Sequence, residues 1–424
     1  MAPAVAVPRT DPTPEVPLWR NRSFNLLWIG QSMSDLGGSM SGLAVPLLVL
    51  ALTGSPWQAG LVGTVVLMAG VACRLPAGVL ADRLDRRRTI LVSDSVRLVT
   101  YLGLGLAVLA DAAGLPLIIG ALLVGIVAGT IVDMAQHAAL ASLVPAGQLP
   151  AAVARNEARS YGTELAGPPL GGVLFGLDRA LPFLGNAVSF LLSLICVLLI
   201  RRPMQQPRAT TRQGHGADLM EGVRFVLRTP FLRAVLLIAV PLNFGVGGVI
   251  FALIVVLQRN GTPPALIGTA SAIIGVGGLL GAVAAPALQR RVRLSVLTIA
   301  ICWALAGLTG VSALLAGGVV PAPPLAAAVP VALAILLSPA CNAALFGHQA
   351  AITPDRLQGR VLSVIFFGAT SLGAVAPAVA GLLLDRFGGM VAMLAFAAVM
   401  GGAAVIATTS QGIREARPVV SARS

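Results

Sequence analysis

Seven ionisable side chains stand inside long apolar runs of this sequence: Asp35, Arg74, Asp94, Arg97, Asp133, His137 and Glu164. An ionisable group at hydrocarbon depth costs on the order of 2.5–3.5 kcal/mol on insertion scales, so each needs a partner or a task. Asp94 and Arg97 are spaced i, i+3, and Asp133 and His137 i, i+4, so each pair shares a helix face. With Arg74 and Glu164 they make one expected belt near one membrane face. Two chemistries suit such a belt: a salt-bridge latch that closes a gate, or a relay passing protons between carboxylates. Asp35 stands apart, about twelve residues into its run, with no charge at helical spacing on its own helix. A carboxylate there can exchange protons near neutral pH or attract a cationic compound. The other reading is an Asp hydrogen-bonded among Ser32, Ser34 and Ser39. All seven groups lie in the first half of the chain, and the second half has only His348, near a helix end.

The runs that hold these side chains read as membrane spans. Of 424 residues, 57% are hydrophobic and 11% charged, too little polarity to coat a water-soluble core of that size. The fold class is therefore an all-α polytopic membrane protein. A net charge of +13 does not point to nucleic acid, because the basic residues sit in short turns instead of on one contiguous face. All 29 of them are Arg, which excludes lysine Schiff-base chemistry. Cys73, Cys196, Cys302 and Cys341 fall singly in apolar runs, and His137, His215 and His348 are scattered. No disulfide, metal site or cofactor is expected from that pattern.

Twelve runs can be drawn, at about 23–51, 57–80, 89–110, 115–140, 160–177, 181–200, 232–257, 265–288, 294–316, 324–350, 361–384 and 389–409. Most are long enough to cross roughly 30 Å of hydrocarbon at about 1.5 Å per residue. Residues 1–22 read as a Pro- and Ala-rich disordered tail, 23–200 as one six-helix half, 201–231 as a linker, 232–410 as a second half and 411–424 as a closing tail. In the linker, Leu219, Met220, Val223, Val226 and Leu227 form a stripe beside basic residues, as in a helix lying on a membrane surface. If both termini share one side, that side holds 24 of the 29 arginines. The opposite loops keep Arg179, Arg259 and Arg386, and Arg74 and Arg97 lie within spans. The arginine-rich side is then cytoplasmic, and the expectation is a monomeric multi-pass protein of the cell membrane with both termini inside.

The halves echo each other. Gly167-Pro168-Pro169-Leu170-Gly171-Gly172 in span 5 is matched by Ala376-Pro377-Ala378-Val379-Ala380-Gly381 in span 11 (377 − 168 = 209), and Pro145 by Pro354 (354 − 145 = 209). Two repeats related by duplication follow.

Between spans 2 and 3 the chain reads Gly78-Val79-Leu80-Ala81-Asp82-Arg83-Leu84-Asp85-Arg86-Arg87-Arg88. Together with Gly167-Pro168-x-x-Gly171-Gly172, Asn186 to Phe190, Glu221 to Phe225 and Pro354 to Val361, in that order, it resembles the major facilitator superfamily. Within that family the likeness is to the branch of enterobactin exporters and macrolide and multidrug efflux pumps. The resemblance implies two halves rocking about a midplane site, the mechanism of which this superfamily is itself an example. It also implies a loop latch at Gly78, Asp82, Arg83 and Arg87, and an antiporter-associated element at Gly167, Pro168, Gly171 and Gly172. Three positions depart from the pattern. Asp85 replaces a Gly, where it is placed to pair with Arg86, Arg87 and Arg88; Thr163 stands for another Gly; and Gly125 to Gln136 lacks the Arg often found in span 4. Either Arg74 or Arg97 takes over that role, or coupling differs.

The expected function is secondary active efflux of a small hydrophobic or amphipathic compound, such as a drug, antibiotic or siderophore-like metabolite, by proton antiport. The alternatives are an importer or facilitator of the same fold, or a non-transporting sensor or membrane enzyme. The expected partners are that substrate, protons and the lipid bilayer. Asp35, Asp94, Asp133 and Glu164 are the candidates for proton coupling or substrate charge, with Arg74, Arg97 and His137 at an inner gate. Gln31, Asn243, Asn342 and His348 are candidates for the cavity wall.

Overall fold

Helix boundaries follow the punctuation of the sequence. The computed structural model describes residues 17–201, 204 and 215–415; the two tail readings at 1–16 and 416–424 lie outside them. Helix α1 (Arg22–Thr53) starts where the Asn21 side chain accepts from the Phe24 amide at 3.2 Å, and stops at Gly54 with φ 67°. Helix α2 (Pro56–Arg83) is capped by Ser55 and has Pro in its first turn, where the missing N–H would be unpaired anyway. Helices α3 (Arg86–Leu109), α4 (Leu115–Leu143), α5 (Leu149–Leu177) and α6 (Leu181–Leu199) complete the first half. Helix α7 (His215–Arg228) leads to α8 (Pro230–Arg259), α9 (Pro264–Arg291) and α10 (Leu294–Ala316). A broken segment, α11 (Ala328–Leu336) and α12 (Ser338–Ile352), precedes α13 (Gln358–Gly373), α14 (Ala376–Thr409) and short α15 (Gln411–Arg414).

Among the described residues, ten stretches are long and apolar enough to cross a membrane. One of them, Asp355–Thr409, is 55 residues long and breaks at Gly388 (φ 80°), so it serves two crossings. Helix α5 has 29 residues, ample length, but Arg155, Glu157, Arg159 and Glu164 lower its hydropathy. The arrangement is consistent with twelve crossings.

Two readings of local structure are corrected. Asp85 does not hold the loop by pairing with its neighbouring arginines. Its Oδ1 accepts from the Arg88 backbone amide at 2.8 Å, so the residue is the N-cap of α3. A side chain that satisfies an otherwise orphaned amide substitutes for the tight glycine turn. Asp85→Ala is expected to cost about 1 kcal/mol and lower the thermal midpoint by about 1 °C while transport is unchanged, as a thermal-shift measurement would show. The fifth span also begins eleven residues earlier than its apolar run (160 − 149 = 11), at Leu149-Pro150.

Contact between the halves is made at the ends of helices away from the arginine-rich loops, here called the far face. Helix α5 crosses α9, and α2 crosses α14, with backbone against backbone. A Cβ on Gly172 would collide with the Pro264 carbonyl oxygen, and one on Gly268 with that of Pro168. In the other crossing, Gly381 meets the Pro56 carbonyl and Gly60 that of Pro377. These two sets are images under the duplication (381 − 172 = 209; 268 − 60 = 208). Small residues are what allow such approach in lipid, where packing replaces the hydrophobic effect as the attraction between helices. Asp385 reinforces the α2 crossing: Oδ2 accepts from Ser55 Oγ and the Trp57 amide, both at 3.0 Å, and Oδ1 accepts from Arg259 at 3.1 Å.

On the basic face, α7 is clasped to the second half. Glu221 accepts from Arg360 at 2.6 Å and pairs with Arg356 at 3.3 Å. The linker motif and the motif after α12 therefore meet.

Candidate functional site

Closed at the far face, the halves diverge around a cavity with two adjoining lobes of about 780 and 650 Å³. Both lobes are lined by Asp35 on α1, Leu67 on α2, Ile126, Thr130 and Asp133 on α4, and Ser160 on α5. The second half contributes Asn243, Thr370, Gly373 and Ala374 to the first lobe, and Gly247, Ile250, Phe251 and Ile254 to the second. Charge is therefore confined to one wall.

Asp35 is not alone. Its Oδ2 lies 2.5 Å from Arg159 Nη1, an ion pair joining α1 to α5 across the cavity edge. The Arg159 side chain is 6% exposed and that of Asp35 35%, so the cation is buried and the carboxylate faces the cavity. Arg159 Nε donates to Asn156 Oδ1 at 3.1 Å, which fixes the guanidinium plane. The expected serine cradle for Asp35 is replaced by other bonds: Ser32 donates to the Trp28 carbonyl, and Ser34 accepts from Arg97. An apolar run drawn at 160–177 leaves Arg159 just outside span 5. The start signal at Leu149-Pro150 would have placed it three turns inside α5, about 15 Å from the basic end.

Asp94 is fully buried, and Ser193 Oγ on α6 donates to it at 2.8 Å. Arg97 Nη1 lies 3.4 Å from Asp94 and donates to Ser34 at 3.2 Å, while its guanidinium stacks 3.9 Å over the Phe190 ring. One cation thereby ties α3 to α1 and α6. Span 4 lacks the family's Arg, yet Arg97 fills that region from the neighbouring helix: its guanidinium packs against Gly129, and the Tyr101 ring packs against Gly125. Arg74, by contrast, is exposed at the first lobe.

The proposed belt thus separates into distinct groups. Asp94 and Arg97 form one pair. Asp35 and Arg159 form another, and the second member was missed. Asp133 and Arg74 line the first lobe. Glu164 sits farther from the basic face than expected, on the second lobe and in a crevice beside Pro168 and Ser271. Among the expected cavity residues, Gln31 and Asn243 line the first lobe, with Gln31 donating to Gln136 at 2.9 Å. Asn342 lines a separate cavity in the second half, and His348 packs against Phe231 with ring centroids 4.4 Å apart. The side chains of His137, Gly78, Asp82 and Arg83 lie outside the described residues. Arg87, the remaining member of that loop motif, donates to the Leu198 carbonyl at 3.0 Å, and Arg86 to the Met204 carbonyl at 3.1 Å. Arg87 thus holds the end of α6, and Arg86 holds the chain at Met204 beyond it.

In span 5, Gly172 faces the Pro264 carbonyl of α9, whereas Gly167 and Gly171 face Ser39 and Met40 of α1. The motif serves two contacts, one between halves and one within the first.

A sequence model described as Major Facilitator Superfamily matches residues 27–367. The chain belongs to the major facilitator superfamily. It is thus a multi-pass membrane transporter, and its partners are a small-molecule substrate and the lipid bilayer. Among facilitator relatives, an uncharacterized MFS-type transporter, YfiS of Bacillus subtilis, is 28% identical over 277 residues, 63% of this chain and 65% of that one. The enterobactin exporter EntS of Citrobacter koseri is 26% identical over 407 residues, covering 91% of this chain and 89% of its own. Of solved facilitator structures, a bacterial homologue of the human lysosomal transporter Spinster, inward-facing and unoccupied, aligns with TM-score 0.74 at 14% identity, over 94% of this chain and 98% of that chain. A bacterial homologue of the iron transporter ferroportin, also inward-facing, gives 0.69 at 19% identity, over 93% and 99% of the two chains.

Proposed function

We propose that this protein is a secondary active exporter of a small hydrophobic or amphipathic compound, driven by proton antiport, with its arginine-rich face in the cytoplasm. The observation that carries the reading is the Asp35–Arg159 pair, a carboxylate lining both lobes of the cavity and holding a buried cation on another helix. A proton taken up by Asp35 removes the charge that Arg159 neutralises and loosens α1 from α5. A cationic group in the cavity competes for the same carboxylate, so proton and substrate exclude each other. Asp133 and Glu164 offer further acceptors along the wall, and Asp94 with Arg97 is the latch that keeps α3, α1 and α6 together. Inward opening supports substrate capture from the cytoplasm, and the membrane potential supplies roughly 2.3 kcal/mol per charge per 100 mV. The similarity to enterobactin exporters supports the outward direction and a siderophore-sized or drug-sized cargo.

Cells expressing the protein are expected to accumulate less of an ethidium-like dye than control cells, and an uncoupler should abolish the difference. Greater accumulation on expression, or a difference that an uncoupler leaves unchanged, would rule out proton-driven export.

A further inference from the structure

A third cavity, of about 300 Å³, lies wholly within the second half between α8, α10 and the α11–α12 segment, with Ile413 of α15 also on its wall. That volume is at the lower end of the range for small-molecule pockets. Its wall includes Ile238, Leu242, Ile301, Leu305, Ile335 and Leu345. No ionisable carboxylate or cation lines it; its polar contributions come from Thr298, Ser338 and two asparagines, with Cys302 and Cys341 as small buried groups. Asn243 lines this cavity and also the first lobe of the central one. Its Nδ2 donates to the Ala239 carbonyl at 2.9 Å, so Oδ1 is the acceptor at the boundary.

The two spaces have opposite chemistry and meet at one side chain. The central lobe places Asp35, Asp133 and Arg74 on its first-half wall, whereas the adjoining compartment is aliphatic. We infer that the compartment beside Asn243 is the tail site for an amphiphile whose polar head stays in the central cavity. This rests on the exporter reading above and sharpens it: the cargo has a head that answers carboxylates and a tail about as large as the compartment. Asn243 sets where the head ends, because a polar group pushed past it would lose water without gaining a charged partner.

The test uses the full chain in lipid nanodiscs and an alkyltrimethylammonium series with tails of increasing length. Binding is measured by displacement of radiolabelled dodecyltrimethylammonium and referred to free aqueous concentration. Affinity is expected to rise about fourfold per methylene, then flatten once the compartment is full. Cys302→Phe on α10 and Leu345→Phe on α12 fill the space from different helices, so a folding failure of one leaves the other informative. Each is expected to flatten the series at a shorter tail while keeping the affinity of the shortest binding member. Asp35→Asn should lower every member by a similar factor and leave the length dependence intact. An unchanged length profile in both filled variants would overturn the tail site and leave the exporter reading standing. Failure of the wild-type chain to bind any member would overturn the tail site, and dye efflux from cells expressing the protein would then decide the exporter reading separately.

Discussion

Asp35→Asn is expected to cut uncoupler-sensitive efflux by roughly tenfold or more. The amide leaves the Arg159 guanidinium, 6% exposed, with Asn156 and Ser160 as its remaining side-chain partners. Removing one member of a fully buried pair costs about 3–5 kcal/mol; with Asp35 about one-third exposed, roughly 2 kcal/mol is the appropriate scale. That is about thirtyfold in any equilibrium that keeps α1 and α5 together. The double variant Asp35→Asn with Arg159→Gln separates structure from coupling, since it removes both charges at once. Its thermal midpoint is expected to return close to that of the wild type, with efflux still lost, because no group remains at that position to carry the proton. Recovery of uncoupler-sensitive efflux in the double variant would make the pair a structural tie and move coupling to Asp94, Asp133 or Glu164.

Gly172→Ala and Gly381→Ala are expected to weaken closure of the far face. Each new methyl meets a backbone carbonyl, of Pro264 or Pro56, that has no rotamer to yield. Overpacking of this kind costs about 1–3 kcal/mol, enough to shift the closed population about five- to more than a hundredfold. The readout is a cysteine placed at Ala59, which lines the second lobe on the far-face side, in a chain whose four native cysteines are replaced. Labelling by a membrane-impermeant maleimide in intact cells should rise in both variants and stay at background with Gly176→Ala, where an added Cβ meets nothing within 4 Å. Equal labelling in all three would show that the crossings do not seal the cavity.

Much of the architecture was legible in the residues, and the reasons are local. Apolar runs and turn prolines each act within a few residues, and both reappear in the helices. The repeat was legible too, because duplication leaves Pro168 and Pro377 at equivalent positions. The site was less so. Asp35 and Arg159 are 124 residues apart, Asp385 and Ser55 330 apart, and Glu221 and Arg360 139 apart. No periodicity carries such pairings. A further error came from equating spans with apolar runs: Arg155 to Arg159 interrupts hydropathy but not the helix, and the hidden turns of α5 hold the cation that answers Asp35. Asp94–Arg97 was found because its partners lie one turn apart on one helix.

The exchange of glycines and carbonyls at the far face has a consequence for ancestry and assembly. Each crossing takes its glycine from one repeat and its carbonyl from the other, and then the reverse: Gly172 with Pro264, Gly381 with Pro56. Such reciprocity is the signature of an isologous interface, in which one patch is complementary to itself. A single repeat carrying both Pro56 and Gly172 already holds both halves of the joint. Two copies of the first six helices, placed about a two-fold axis normal to the membrane, would present the same contacts twice. Fusion of two such copies would preserve that joint while freeing their inner walls to diverge, one keeping the charges and the other becoming apolar.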